Sequence, residues 1–470
     1  MYSLFSHARP VRISRRQLAL QTLEGRDVPA GTVTATLSAT GVLTIVGDDN
    51  DNGFTLRVNA GNVVLDADAS TFINAGAAGD PITLTGTVTS IKADLKGGGD
   101  TVALDPTAIL NVPGAVSFTL GDGDNRLDLS STLNITMGSL TVKGGDGEDV
   151  VIVQGGVGEG SKINGAASFT YANGGSETTL GDVDIGIGMK VTAGDGTGNP
   201  NNVTLATVTI AKSLQADLGN SNPGIVTIFD SSLGGLTLKG QSVGAVMSSS
   251  AVLGSVSLKG GFQADLQLDT VTISKNVAIS APAASFDASG DGSTITGNLA
   301  LTATSSTLAM FQSTTLTEVK GNITIKGGWF DDTFETNGFF RANKNVSLTL
   351  AGGDNRVTIG DGSAQASITG NLSIKTGAGN DTIALNRLTL SGTAKIATLA
   401  GKDELSIEMG STFVMAFTAD MGTGDDVIAI AQNIGSASPV QFNGSVKILA
   451  GLGNDSLFLG LNPGDSGTQA

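Results

Sequence analysis

Beyond Gly86 apolar residues occupy every second position in short runs, and the runs are separated by Gly/Asp turns or by corners of Gly, Asn, Ser and Thr. In GSLTVKGGDGEDVVIVQGG, which starts at Gly138, Leu140 and Val142 precede the turn, and Val151 and Val153 follow it. The same order returns in KGNITIKGGWFDDTFETN from Lys320, TGNLSIKTGAGNDTIALNRLTL from Thr369 and NGSVKILAGLGNDSLFLG from Asn443. A period of two means a strand with one buried face. The phase is fixed by the turn acid, because apolar residues stand two and four places beyond it: Val102 and Leu104 after Asp100, Ile383 and Leu385 after Asp381, Leu457 and Leu459 after Asp455. A slip of one residue would expose all of them.

The unit recurs at steps of 20 to 29 residues, about 16 rungs averaging about 24 residues between Gly86 and Ala470. Periods of this size belong to solenoids and arrays. Outside the first thirty residues no stretch carries apolar residues at helical three and four spacing, and Thr, Val, Ile and Ser fill the runs. The expected fold is all-β, a right-handed parallel β-helix whose coils stack about 4.8 Å apart into a rod of roughly 75 to 80 Å. An antiparallel sandwich array is the competing architecture, and hairpins do not explain a single Gly/Asp turn per rung.

Three segments follow from the pattern. Residues 86–470 are the repeats. Residues 31–85 alternate well but crowd Asp48, Asp49, Asn50, Asp51 and Asn52 into one turn, and are expected to be an irregular β cap over the edge of the first rung. DDNDNG lacks the downstream glutamate of an EF-hand loop and reads as a polar hairpin tip. Residues 1–30 are cationic and end at small residues, as a targeting segment does, although only Leu18, Ala19 and Leu20 offer an apolar centre. Within them Arg15-Arg16 and Leu23-Glu24-Gly25-Arg26-Asp27-Val28-Pro29-Ala30 resemble the LExRxxPA element that opens exported surface repeat proteins of planctomycete bacteria. That resemblance implies secretion or display at a bacterial cell surface.

The chain holds 26 Lys plus Arg against 43 Asp plus Glu. Five of the cations and two of the acids fall in residues 1–30, which leaves 21 against 41 in the rest. So acidic a surface repels nucleic acid and anionic membrane, so neither is an expected partner, whereas cell-envelope or extracellular glycans or proteins are. No stretch has the length and hydropathy of a membrane span. Cysteine is absent, so neither disulfides nor thiolate metal sites contribute.

The turns carry the one chemistry-bearing motif. Gly144 to Ile152, GGDGEDVVI, fits the G-G-x-G-x-D-x-U-x nonapeptide and resembles haemolysin-type (RTX-like) calcium-binding repeats. Shorter matches run from Gly377 to Ile383, Gly422 to Ile428 and Gly451 to Leu457, and from Gly121 to Leu127 with Asn125 in place of the acid. The resemblance implies Ca²⁺ at Asp124, Asp146, Asp149, Asp381, Asp425, Asp426 and Asp455, carboxylates being hard oxygen donors. Here one copy occurs per rung rather than in tandem, so only one edge can carry such sites, and turns between residues 211 and 260 lack the acid. The same residues also suit plain turn chemistry, since Asp and Asn bond nearby backbone and Gly supplies positive φ. Lys96, Lys143, Lys239, Lys259, Lys326 and Lys375, each just before a turn, are placed to neutralise those acids.

An enzyme is not expected. Asp331 with Asp332, or Asp425 with Asp426, offers the paired carboxylates of a polysaccharide hydrolase or lyase. Yet the only histidine is His7, no rung is long enough to wall a cleft, and the elements of the polygalacturonase family are missing. Trp329, Phe330, Phe334, Phe339 and Phe340 are the densest aromatic cluster, read as a stack within one layer of core. The expected function is a non-catalytic structural or adhesive rod, with a carbohydrate-active β-helix enzyme as the alternative.

Overall fold

The computed structural model describes residues 31–59, 62–107, 109–158, 160–196, 199–220, 223–361, 364–430 and 439–460. Among these the secondary structure is 47 strands and no helix. The expected leader lies outside the described residues. Strands with buried alternate positions close into coils of three sides. In one coil side A is Ala366–Ile368, side B Leu372–Lys375 and side C Thr382–Asn386. In the next they are Leu388–Leu390, Ala394–Ala397 and Glu404–Glu408. Counterparts run parallel and in register, with Ser367 opposite Thr389, Ile374 opposite Ile396 and Leu385 opposite Ile407.

The chain is thus a parallel β-helix of about 14 turns of about 23 residues. The spacing alone counts as sixteen rungs averaging about 24 residues, and side A joins the stack later than the other two sides. Side B starts its regular stack at Ser90–Asp94 and side C at Thr101–Leu104, but side A first appears at Leu110, within the strand Leu110–Gly121. Residues 31–85 close the open end with antiparallel pairs: Gly31–Leu37 with Val42–Val46, and Gly53–Asn59 with Asn62–Ala67. Val42–Val46 and Gly53–Asn59 also pair in parallel with the strands of the first coil. DDNDNG is therefore the first turn from side B to side C rather than a hairpin tip.

Inside the coils one apolar cluster runs without a break from Val33 to Ile428. Leu372 and Ile374 point into it while Lys375 stands outside, the alternation that period two demands. The aromatic cluster divides. Phe334 and Phe340 join Phe311 in the core, at centroid distances of 5.7 and 4.8 Å, and Phe286 extends the stack at 5.1 Å. Trp329 and Phe330 lie outside it, 78% and 67% exposed, with Phe339 half out. Trp329 and Phe330 belong to the turn after side B, where no strand phase carries a side chain inward, and Phe339 stands just before the side A strand Phe340–Ala342.

The middle of the rod is built differently. Leu236–Ser248, Val256–Asp269, Val277–Asp287 and Leu299–Met310 each run through sides B and C as one bent strand. The bend falls at register shifts such as Gly240/Ser242 and Lys259/Gln263. These coils have lost the turn itself, which is why the turn acids vanish there.

In the middle coils the corner from side C to side A turns on a residue in the left-handed region. Asp182, Thr207, Asp230, Ser249 and Thr270 occupy it in five successive coils, with φ between 47 and 57°. A β-branched residue is strained in this conformation, and Asn tolerates it. Thr207→Asn should therefore stabilise the rod by about 1 kcal/mol, read as a higher midpoint in chemical denaturation; a lower midpoint would show that the threonine is held by its surroundings instead.

Candidate functional site

The turn between sides B and C reverses the chain beside the core, and its backbone amides leave the strand ladder. Parity decides where its acids go. Asp381 stands two before Ile383 and so points inward with it; Asp426 stands two before Ile428, while Asp425, one place out of phase, faces solvent. Asp100, Asp149, Asp332, Asp381, Asp403 and Asp426 are all at most 1% exposed. Asn52, Asn125 and Asn355 fill the same position in other coils.

These side chains form a ladder along the rod. From Asn355 to Asp455 each Oδ1 accepts the backbone N–H of the preceding coil: Asp332 N–H donates to Asn355 (3.1 Å), Asn355 to Asp381 (2.9 Å), Asp381 to Asp403 (2.9 Å), Asp403 to Asp426 (2.9 Å) and Asp426 to Asp455 (3.1 Å). Nearer the cap, Asn52 N–H donates to Asp100 (2.8 Å) and Asp100 N–H to Asn125 (3.0 Å). The run breaks at Asp149, whose Oδ1 accepts Asn125 Nδ2–H (2.9 Å) while Asn125 N–H donates to the Glu148 carbonyl (2.9 Å). Ser176, Asn201 and Gly224 follow in coils that keep the turn, then buried Val243, Ala264 and Ala284 where it is lost. Thr307 resumes it, donating to Asp332.

The second carboxylate oxygen is the informative atom. Oδ2 of Asp100, Asp149, Asp332, Asp381, Asp403 and Asp426 is buried with no hydrogen-bond partner. Where asparagine occupies the ladder its Nδ2 donates to the carbonyl two residues back: Asn50 O (2.7 Å), Gly123 O (2.9 Å) and Gly353 O (3.2 Å). An ionised Oδ2 in that position faces oxygen lone pairs, whereas a protonated one has acceptors within the turn. Burial pushes the Asp100 and Asp149 carboxyls up to about 7 and Asp332 up to about 6. It also raises Asp381, Asp403 and Asp426. Nearby acids push the same way: Asp48 and Asp51 at Asp100, Asp122 and Asp124 at Asp149, and Asp403, Asp455 and Asp425 at Asp426. The hydroxyls of Thr376 and Thr398 partly offset the rise at Asp381 and Asp403, though neither bonds Oδ2 with ordinary geometry.

The seven acids implied by the nonapeptide resemblance are thus split between two tiers. Asp149, Asp381, Asp426 and Asp455 belong to the inner ladder. Asp124, Asp146 and Asp425 lie outside, where their Oδ1 atoms accept the backbone N–H of Glu148 (2.8 Å), Asn173 (3.1 Å) and Asn454 (2.8 Å) in the next coil. Among the described residues no three acidic or histidine side chains converge as a metal cage. Asp331 and Asp425 are exposed while Asp332 and Asp426 are buried, so neither adjacent pair presents two carboxylates to one substrate. Of the six lysines placed before turns, only Lys96 makes an ion pair among the described residues, with Asp94 two residues back (2.7 Å).

Asp100, Asp332 and Asp403 complete the inner ladder although they were not among the candidate ligands; their parity with the apolar residues that follow was the signal. A second ladder stands at the corner from side A to side B. There Oδ1 of Asn276, Asn298, Asn322, Asn345 and Asn371 accepts the backbone N–H of Asn298, Asn322, Asn345, Asn371 and Thr393, at 2.8 to 3.2 Å. The glycines of the motif have their own reason. Gly379, Gly401, Gly424 and Gly453 all have positive φ, and a Cβ on any of them would overlap the carbonyl of the glycine one coil below.

No protein-family model matches the chain, and no curated protein matches it. The class rests on the fold alone: a parallel β-helix repeat protein with an internal Asp/Asn ladder.

Two predictions follow from the turn. In the unfolded chain the ladder carboxyls titrate near 3.8, well below their folded values, so the folded state binds protons more tightly. Their contribution to stability is complete below about pH 4 and is lost as pH rises through about 6 to 7. The melting temperature should fall over that window. Asp149→Asn with Asp403→Asn should flatten the fall and raise stability at about pH 8 by about 1–3 kcal/mol; identical slopes for the two proteins would contradict a protonated ladder. Separately, Gly401→Ala should cost at least about 1–2 kcal/mol by forcing both φ and the stacking contact, and a neutral result would remove that account of the motif.

Proposed function

We propose that the protein is a non-catalytic structural or adhesive rod, exported to the cell surface or beyond it. The observation that carries this is the unbroken apolar core from Val33 to Ile428 beneath strands paired coil to coil. A rod of that kind resists bending and shear along its length, and among the described residues its short turns offer no loop that would wall a substrate cleft. Among the described residues no helix is long and apolar enough to cross a membrane. The cationic LExRxxPA segment supports export to a bacterial surface.

Calcium enters the proposal as a second way to neutralise the ladder. The orphaned Oδ2 atoms and the turn carbonyls are hard donors, and Asp149, Asp381, Asp426 and Asp455 are the residues that would hold the ion. Melting with calcium and then with chelator separates the alternatives. A midpoint raised by calcium, and an Asp381→Asn variant that loses the rise, supports metal; midpoints unmoved by either reagent leave protons as the neutralising species.

The enzymatic alternative is tested by incubation with a panel of acidic and neutral polysaccharides. The rod reading expects no product, and released reducing ends or unsaturated sugars would overturn it.

A further inference from the structure

The rod is acidic overall, but its charge is sorted by side. Nine lysines project from side B between Lys92 and Lys447, against three outward acids, Asp94, Asp217 and Asp420. They are nine of the 21 cations beyond residue 30. The register arranges them. Lys92, Lys143, Lys190 and Lys239 stand on every second coil, alternating between two columns two residues apart on the strand, and Lys259 then lies directly opposite Lys239 on the next. Two coils are about 9.6 Å, roughly the advance of one disaccharide in an extended polysaccharide.

Among the described residues none of the nine makes an ion pair with an acid of the chain. Like charges side by side on a sheet face are unfavourable, and the Lys239–Lys259 pair has one acid in register beside it, Asp217 opposite Lys239, with Ser280 opposite Lys259. Between Lys239 and Lys190 lies a shallow groove of about 290 Å³, lined also by Thr192, Gln215, Asp217 and Thr237.

A second observation is independent of charge. Two side B strands end in the same words, Lys259-Gly-Gly-Phe262 and Lys326-Gly-Gly-Trp329. In both the aromatic residue is exposed, Phe262 by 60% and Trp329 by 78%. Each aromatic thus follows a lysine of the same row by the same offset, at the edge of the same face. An aromatic plane beside a cation fits a sugar ring that bears an anionic group.

We propose that side B is a binding face for a linear acidic polysaccharide lying along the rod axis, its carboxylates or sulfates met by the lysines and its rings by Phe262 and Trp329. The proposal deepens the reading of the protein as an adhesive rod and rests on it. The overall negative charge does not prevent contact, because at physiological salt the Debye length is about 8 Å and a chain on this face senses its nearest charges. Nucleic acid fits less well. A duplex carries one phosphate per about 3.4 Å along each strand, a density that the acidic turns bordering the face oppose.

The test is affinity electrophoresis and calorimetry of the intact protein with polygalacturonate of low ester content, with dextran as neutral control and single-stranded DNA as competing polyanion. Polygalacturonate should bind, weakening as salt rises, and dextran should not. Lys239→Gln with Lys259→Gln should weaken binding at least tenfold, and Trp329→Ala severalfold. Lys162→Gln with Lys212→Gln, which lie off this face, should leave it within twofold. All three variants change exposed side chains, and unchanged melting curves establish that they fold. No retardation by polygalacturonate, equal loss in the off-face variant, or tighter binding of DNA would each overturn the proposal. Cleavage of the polymer with binding intact would instead overturn the non-catalytic reading and leave the face standing.

Discussion

At the turn between sides B and C the backbone leaves the strand ladder, and its amides need acceptors that strand pairing no longer provides. The rod meets this with a side chain from the next coil: Asn52, Asp100, Asp332, Asn355, Asp381, Asp403 and Asp426 all give their N–H to an Asn or Asp one coil on. A buried amide left without an acceptor costs about 1–3 kcal/mol, so the ladder fixes which residue stacks on which. Register then follows for the strands on either side. Where the turn is dropped, as in Val256–Asp269, the need for the side chain disappears, and Ala264 takes its place.

Aspartate in this role brings a conflict that asparagine does not. Oδ1 does the same work in both, but Oδ2 has no buried partner while asparagine's Nδ2 finds a turn carbonyl. The conflict is relieved by a proton or by a cation. Asp381, Asp403, Asp426 and Asp455 follow one another without an asparagine between them, so each ionised member raises the cost of the next. That run is where environment should bear most strongly on stability.

Much of this was legible in the sequence. Period-two runs such as Leu372 and Ile374 gave the strand faces, and the recurring turn gave the coil and its stacking. The inward aim of Asp149 was also readable, from its phase with Val151 and Val153. Other features needed the folded chain. Gly260-Gly261 resembles a turn but lies within one bent strand. The absence of side A before Leu110 leaves no mark in the spacing, since the cap alternates as well as the coils do. The exposure of Trp329 beside buried Phe334 depends on where the strand begins, which composition does not reveal. The clustering of lysines on one face is hidden in the sequence because coil lengths vary, and only stacking aligns Lys239 with Lys259.

The central claim is that buried aspartates of the ladder carry protons close to neutrality. Infrared difference spectra of protein labelled with carbon-13 at the aspartate carboxyl test it directly, because the protonated and ionised groups absorb apart. The account predicts a protonated carboxyl band that persists to about pH 6, more than two units above the ordinary aspartate range, and that shrinks in Asp149→Asn with Asp403→Asn. Complete ionisation of every aspartate by about pH 5, with no difference between the two proteins, would contradict it.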